Sequence, residues 1–230
     1  MFFWDYTFFL IIPPLVLALY AQARVKGAYR KYSQVYAASR VSGAEAAHQL
    51  LQTGGAGDVK VEKVPGELTD NYDPRSRVLR LSQGVYESSS IAALGIAAHE
   101  TGHALQHRNH YQPMALRSLI YPVASLGSTL AFPLFFIGFI LSRKGNPSFL
   151  MDIGILLFAG AVVFSVVTLP VEFNASKRAL VLLEERRFLT PDEMTGARQV
   201  LKAAALTYVA STAMAAMQLL RMFVLRQSRD

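Results

Sequence analysis

The residues best suited to do chemistry are the run His99-Glu100-Thr101-Gly102-His103, a His-Glu-x-x-His motif. On an α-helix, side chains four residues apart differ by only about 40° in direction, so both imidazoles leave the same face. Two nitrogens on one face can bind one metal ion, and Glu100 beside them can take a proton from a water molecule. Imidazole suits Zn²⁺, which lowers the pKa of bound water to about 7. The motif therefore predicts a zinc hydrolase with His99 and His103 as ligands and Glu100 as the catalytic base.

A catalytic zinc site normally has three protein ligands and one open position, so a third ligand is needed. His107 would lie about 12 Å from His99 along a straight helix, too far to share one ion. The metzincin pattern also fails, because its glycine and third-histidine positions hold Gln106 and Asn109. His107 and His110 are therefore predicted to be cap, surface or cleft residues, and the third ligand is predicted to be a carboxylate.

Long apolar segments indicate that the motif belongs to a membrane protein. Hydrophobic residues make up 52% of the 230 residues and charged residues only 17%, whereas soluble domains carry about a quarter charged residues. Residues 6–23 and 118–142 carry no charge, and residues 150–171 carry only Asp152. Each segment has the roughly 20 apolar residues that cross a bilayer. An uncharged fourth segment, 203–220, either spans the membrane or packs against protein, which predicts three to four membrane helices.

The first apolar segment is predicted to be an uncleaved anchor, because the start of the chain has no Lys or Arg. Basic residues follow this segment, and such residues mark the cytoplasmic side of a span. Residues 25–116 and 172–200 are therefore predicted to face the cytoplasm, and residues 142–148 to lie outside. The net charge of +7 is attributed to basic residues that set the membrane orientation and attract anionic lipid, and not to nucleic-acid binding. The basic cluster consists of Arg24, Lys26, Arg30, Lys31 and Arg40.

A small α+β unit is predicted between the first and second membrane segments. Ser42 and Glu45 form a capping-box pattern, which opens a helix that ends at Gly54-Gly55. Short strands are predicted around residues 59–62 and over residues 77–82. Serines 88–90 then offer N-caps for the motif helix, which is predicted to run to about His107.

These elements predict a mainly α membrane protein with a small, zincin-like α+β unit that carries the motif helix. No disulfide or thiol redox chemistry is expected, because the chain has no cysteine. The predicted domains are an anchor (1–24), a cytoplasmic zincin-like unit (25–116), two membrane helices with a short outer loop (117–171), and a ligand helix followed by an apolar helix (172–230).

Glu172 is the carboxylate that this topology favours as the third ligand. Two membrane segments separate it from His103, so an even number of crossings returns it to the side of the histidines. The alternative is that Glu172 is an interfacial charge that ends a membrane helix. Glu184, Glu185 and Glu193 lie on the same side, but in a mixed-charge stretch typical of a solvated surface.

Several runs of the chain resemble the bacterial membrane-bound neutral zinc metallopeptidases of the YugP-like type, and more distantly the HtpX-type membrane proteases. In HtpX-like enzymes a Glu-x-x-Ala-Asp segment after two membrane helices supplies the third ligand, and Glu172-Phe173-Asn174-Ala175-Ser176 is similar to it. Ser176 replaces the aspartate that would orient a zinc-bound histidine, and a hydroxyl can accept the same hydrogen bond without a charge. The resembling runs are Arg24-Val25-Lys26, Leu68-Thr69-Asp70-Asn71-Tyr72-Asp73-Pro74-Arg75, Ala97-Ala98-His99-Glu100-Thr101-Gly102-His103-Ala104 and Ala115-Leu116-Arg117-Ser118.

The resemblance implies a gluzincin-like zinc endopeptidase in the bacterial plasma membrane, with the active site towards the cytoplasm. Its substrates would be peptides or proteins, membrane proteins among them, and Glu100 would later protonate the leaving amine. The strand at 77–82 is predicted to be the edge strand along which an extended substrate pairs. The oxyanion donor stays open among Tyr72, Tyr86, His107, His110, Tyr111 and Arg178.

Two other functions compete with proteolysis. A catalytically silent zinc-binding membrane scaffold would need no base, so Glu100 argues against it. A transporter or channel subunit would carry ionisable residues inside its spans, whereas these segments hold almost none beyond Asp152.

Overall fold

The computed structural model describes residues 6–142 and 148–229, so the start of the predicted anchor and most of the predicted outer loop lie outside the described residues. A short 3-10 helix, Tyr6–Leu10, precedes the first α-helix. The α-helices are α1 Ile12–Tyr32, α2 Gly43–Thr53, α3 Gln83–Tyr86, α4 Ile91–Arg108, α5 Gln112–Leu141, α6 Phe149–Glu185 and α7 Pro191–Gln227. The strands are β1 Lys60–Val64, β2 Asn71–Asp73 and β3 Val78–Ser82.

Four helical segments in the described residues are long and apolar enough to cross a membrane. They are Tyr6–Tyr32, Gln112–Leu141, Phe149–Glu185 and Pro191–Gln227. This confirms the prediction of a mainly α membrane protein, and the fourth apolar segment belongs to a 37-residue helix. These helices are candidate membrane spans by their length and composition. A polypeptide needs roughly 20 apolar helical residues to cross the hydrocarbon core.

The chain forms two compact units, and the first is an apolar-helix unit made of residues 1–20, 116–169 and 207–230. Its helices approach closely at Gly154, where a Cβ atom would lie 2.7 Å from the Ala131 carbonyl oxygen. Asp152 forms an ion pair with Arg226, with 2.9 Å between Oδ1 and Nε. The charge in the third apolar segment is therefore paired within this unit.

The second compact unit, the sheet unit, consists of residues 21–115 and 170–206. Its three strands lie in the order β1-β3-β2. β3 is parallel to β1, with Lys60 opposite Val78, and antiparallel to β2, with Tyr72 opposite Leu79. The predicted strand at 77–82 is therefore the central strand, and its prediction as the edge strand is wrong. Both of its faces are covered, whereas β1 and β2 occupy the two edges of the sheet.

The local helix signals of the sheet unit are confirmed. Ser42 Oγ accepts a hydrogen bond from the Glu45 N–H, and the Glu45 carboxylate accepts one from the Ser42 N–H. This reciprocal capping satisfies donors that the first turn of α2 would otherwise leave unpaired. Ser90, one of the three serines that could cap the motif helix, accepts a hydrogen bond from the Ala93 N–H at 3.2 Å.

Candidate metal centre

Helix α4 presents the two histidines of the motif on one side. Most of α4 is buried, and its many alanines allow neighbouring elements to approach its backbone. His99 is partly buried and His103 is buried. Their ring centroids lie 4.8 Å apart with an interplanar angle of 84°. Spacing of four residues on a helix therefore brings both imidazoles to one site, as the motif predicts.

Helix α6 brings Glu172 against these two imidazoles. Its Oε2 atom lies 3.3 Å from His99 Nε2 and 3.4 Å from His103 Nε2. Gly102 makes this approach possible, because a Cβ atom at that position would lie 2.7 Å from the Ala175 carbonyl oxygen. Position 102, the second of the two variable positions in the motif, therefore requires glycine for steric reasons.

The separations of the three ligand atoms fit a zinc ion. The Nε2 atoms and the carboxylate oxygen all lie within 4.8 Å of one another, so this group can hold a metal ion. Two ligand atoms about 2.1 Å from a tetrahedral ion lie about 3.4 Å apart. The distances from Glu172 match this value, and two imidazoles with one carboxylate form a donor set that zinc prefers.

Each histidine makes a second polar contact through its other ring nitrogen. His99 Nδ1 lies 3.2 Å from Ser176 Oγ, so Ser176 lies where the resemblance implies an orienting residue. His103 Nδ1 lies 3.0 Å from the side-chain oxygen of Gln106. Contacts of this kind hold the rings with Nε2 directed to the metal site. Gln106 was not predicted as a partner of His103, although it lies three residues after it, on the same side of α4.

Glu100 lies beside the ligands in a buried position. Burial raises the pKa of its carboxyl to about 7, with Glu172 also raising it and His99 lowering it. The backbone amide of Tyr72 lies near enough to this carboxyl to lower its pKa. The edge strand β2 therefore passes close to the predicted base. A cation at the ligand site would further stabilise the carboxylate form.

The other carboxylates considered as ligands lie elsewhere. Glu184 and Glu185 are exposed. Glu193 accepts hydrogen bonds from the Ala38 and Thr190 backbone N–H groups, so it serves as a capping residue.

The candidate oxyanion donors divide into two pairs and two single residues. The Tyr72 hydroxyl lies 2.8 Å from His107 Nδ1, and His107 is absent from the metal-ligand group. Arg178 donates to Asn174 Oδ1, and its guanidinium carbon lies 6.0 Å from the centre of the Tyr111 ring. The structure describes no ligand-site contact for the single residues Tyr86 and His110.

A buried His-Glu-x-x-His helix joined by a carboxylate from a second helix defines the zinc-metallopeptidase class of site. The family model described as "Putative neutral zinc metallopeptidase" matches residues 7–227, and the chain belongs to this family. It is 47% identical over 213 residues to the "Putative membrane protease YugP" of Bacillus subtilis (strain 168), covering 93% of each chain. No solved structure matches the chain.

Proposed function

We propose that the chain is a zinc-dependent membrane endopeptidase that hydrolyses peptide bonds with Glu100 as general base. The observation that carries this proposal is the buried Glu100 carboxyl near three residues that could hold a metal ion. The ligand set of His99, His103 and Glu172 leaves one position of a tetrahedral ion open, as catalytic zinc sites do. A purely structural zinc site closes that position and needs no base.

When bound, zinc supplies a Lewis acid that polarises the scissile carbonyl and makes water acidic enough to deprotonate near pH 7. Glu100 accepts the proton from the attacking water as the new carbon–oxygen bond forms. The same carboxyl then donates this proton to the amide nitrogen as the carbon–nitrogen bond breaks. His99, His103 and Glu172 keep their positions throughout.

The substrate is proposed to lie extended along strand β2. β2 is at the edge of the sheet, so one of its sides is directed away from β3. The influence of the Tyr72 backbone amide on the Glu100 pKa supports a position of that strand near the proposed base. Peptides commonly bind proteins by adding a strand to such an edge. This replaces the substrate position that was expected along residues 77–82.

The proposed activity is tested by metal removal from the purified, detergent-solubilised protein. We expect about one zinc per chain by metal analysis, and cleavage of casein or of a membrane-protein substrate. A chelator such as 1,10-phenanthroline should remove both the zinc and the cleavage, and added zinc should restore both. Stoichiometric zinc without cleavage of any substrate tested would favour the catalytically silent scaffold.

The metal centre is proposed to face the cytoplasm of the bacterial inner membrane. The residues predicted to be cytoplasmic, 25–115 and 172–200, fall in one compact unit, which supports their placement on one side of a bilayer. The basic residues that follow the first span, Arg24, Lys26, Arg30 and Lys31 among them, favour the cytoplasmic side. The predicted domain boundaries at residues 24, 116 and 171 form part of this proposal.

Single cysteines test the topology, because the natural chain has none. Ser39 is exposed in a turn of the sheet unit, whereas Ser42 caps α2 and is better left intact. On intact cells, an impermeant thiol reagent is expected to label Asn146→Cys and to spare Ser39→Cys. Labelling of Ser39→Cys alone would reverse the proposed orientation.

A further inference from the structure

The buried side chain of Gln106 makes hydrogen bonds through all of its polar atoms. Its nitrogen donates to the Val171 backbone carbonyl at 2.8 Å and to Asn174 Oδ1 at 3.0 Å. Its oxygen lies 3.0 Å from His103 Nδ1. The side chain is 0% exposed. A fully bonded buried carboxamide is held in one orientation, because any rotation would leave a polar group without a partner.

These contacts fix which ring nitrogen of His103 carries hydrogen. A backbone carbonyl only accepts hydrogen bonds, so the Gln106 atom next to Val171 is the amide nitrogen. The atom facing His103 is therefore the amide oxygen, which also only accepts. Nδ1 must then be the donor, and Nε2 of the neutral ring offers its lone pair towards Glu172.

Gln106 is held in turn by α6, the helix that carries Glu172. Asn174 Oδ1 accepts hydrogen bonds from Gln106 and from Arg178 Nε, the latter at 2.8 Å. Because Val171 precedes Glu172 directly, one carboxamide touches both a ligand histidine and the backbone next to the ligand carboxylate. His99 has a looser arrangement, since a single hydroxyl oxygen, that of Ser176, lies 3.2 Å from its Nδ1.

We propose that Gln106 is the positioning residue of the metal centre, and that Asn174 and Arg178 hold its carboxamide in place. It sets the direction of His103 Nε2 and the spacing between His103 and Glu172. This inference rests on the proposed zinc site. It predicts that zinc affinity depends more on Gln106 than on Ser176.

Zinc affinity of the full chain, measured by competition with a chelator, tests the proposal. Gln106→Met keeps the length of the side chain but removes the hydrogen-bond acceptor, and it should weaken zinc binding by about 10–100-fold. Gln106→Glu keeps an oxygen for Nδ1–H while losing the donors to Val171 and Asn174. It should lose less zinc affinity than Gln106→Met, because it keeps the contact that orients His103 and loses only those that set the spacing to Glu172. Both variants should lose thermal stability. Ser176→Ala, the matched control at His99, should lose less affinity than Gln106→Met.

A spectroscopic signature separates positioning from a merely structural role. In zinc-loaded protein with ¹⁵N-labelled histidine, the natural chain should show a hydrogen-bonded Nδ1–H signal from His103. Gln106→Met should shift that signal, Gln106→Glu should retain it, and Ser176→Ala should move the His99 signal instead. Unchanged affinity in Gln106→Met, or equal losses in the Met and Glu variants, would overturn the proposal.

Two further outcomes keep the inference and the proposed function distinct. If Gln106→Met does not fold, the ¹⁵N-histidine spectrum of the natural chain still tests the proposal. Absence of a hydrogen-bonded Nδ1–H signal from His103 in that spectrum overturns it. If the natural chain itself binds no zinc, the proposed function fails. If the natural chain binds zinc and Gln106→Met binds it equally tightly, only the positioning role is refuted.

Discussion

Glu100→Gln is expected to keep zinc bound and to lose about 10²–10⁴-fold in peptidase turnover, the usual contribution of a general base. The amide has nearly the volume of the carboxyl and keeps an acceptor oxygen near the Tyr72 backbone amide. It cannot accept the proton of the attacking water. Because Glu100 is not one of the three grouped ligands, metal content should stay near one zinc per chain. Parallel metal analysis and a cleavage assay measure the two effects separately.

Glu184→Gln is the matched control for this substitution. It makes the same chemical change at an exposed carboxylate on α6, so both zinc content and turnover should stay near the natural values. Turnover of Glu100→Gln equal to that of this control would contradict the role of Glu100 as the base. Loss of zinc from Glu100→Gln would instead indicate that Glu100 contributes to metal binding.

The features predicted correctly from sequence depend on short-range geometry. His99 and His103 share a face because the period of a helix fixes the direction of residues four apart. The capping box at Ser42 joins residues three apart, so it could also be recognised from the sequence. Glu172 lies far from the histidines in sequence, but two membrane crossings return it to their side. The mixed-charge stretch around Glu184 then favoured Glu172 over Glu184.

The features that the sequence did not reveal depend on contacts between distant segments. The three-residue strand β2 has no periodicity to detect, so β3 was taken for the edge strand that β2 is. Gln106 is recognisable as a partner of His103 by spacing, but its bonds to Val171 and Asn174 join residues 65 and 68 positions apart. Such pairs follow from how α4 packs on α6, which no local pattern encodes.

The steric requirement at Gly102 is of the same long-range kind. Within the motif, this position accepts many residues without affecting the spacing of the histidines. The need for glycine arises from the Ala175 carbonyl of α6, 73 positions along the chain. The three residues that could hold a metal ion were therefore predictable, whereas the residues that let two helices meet at the right distance were not.

Glu172→Ala is expected to weaken zinc binding by more than about 100-fold, because loss of an outer-shell partner alone costs about 10–100-fold. The carboxylate is 1% exposed and lies within 3.4 Å of both histidine Nε2 atoms, whereas Glu184 and Glu185 are exposed. The helices should survive, since neither His103 nor Val171 loses its contact with Gln106. Chelator competition measures the affinity, and circular dichroism checks the fold.

Three alanine variants serve as controls for this ligand assignment. Glu184→Ala and Glu185→Ala remove exposed charges and should leave zinc affinity unchanged. His107→Ala should also keep zinc, because its Nδ1 contacts the Tyr72 hydroxyl away from the ligand group. Its turnover can still fall, since that contact links α4 to the proposed substrate strand. Stoichiometric, tightly held zinc in Glu172→Ala, together with its loss from any of these three variants, would assign the third ligand to the residue whose removal released the metal.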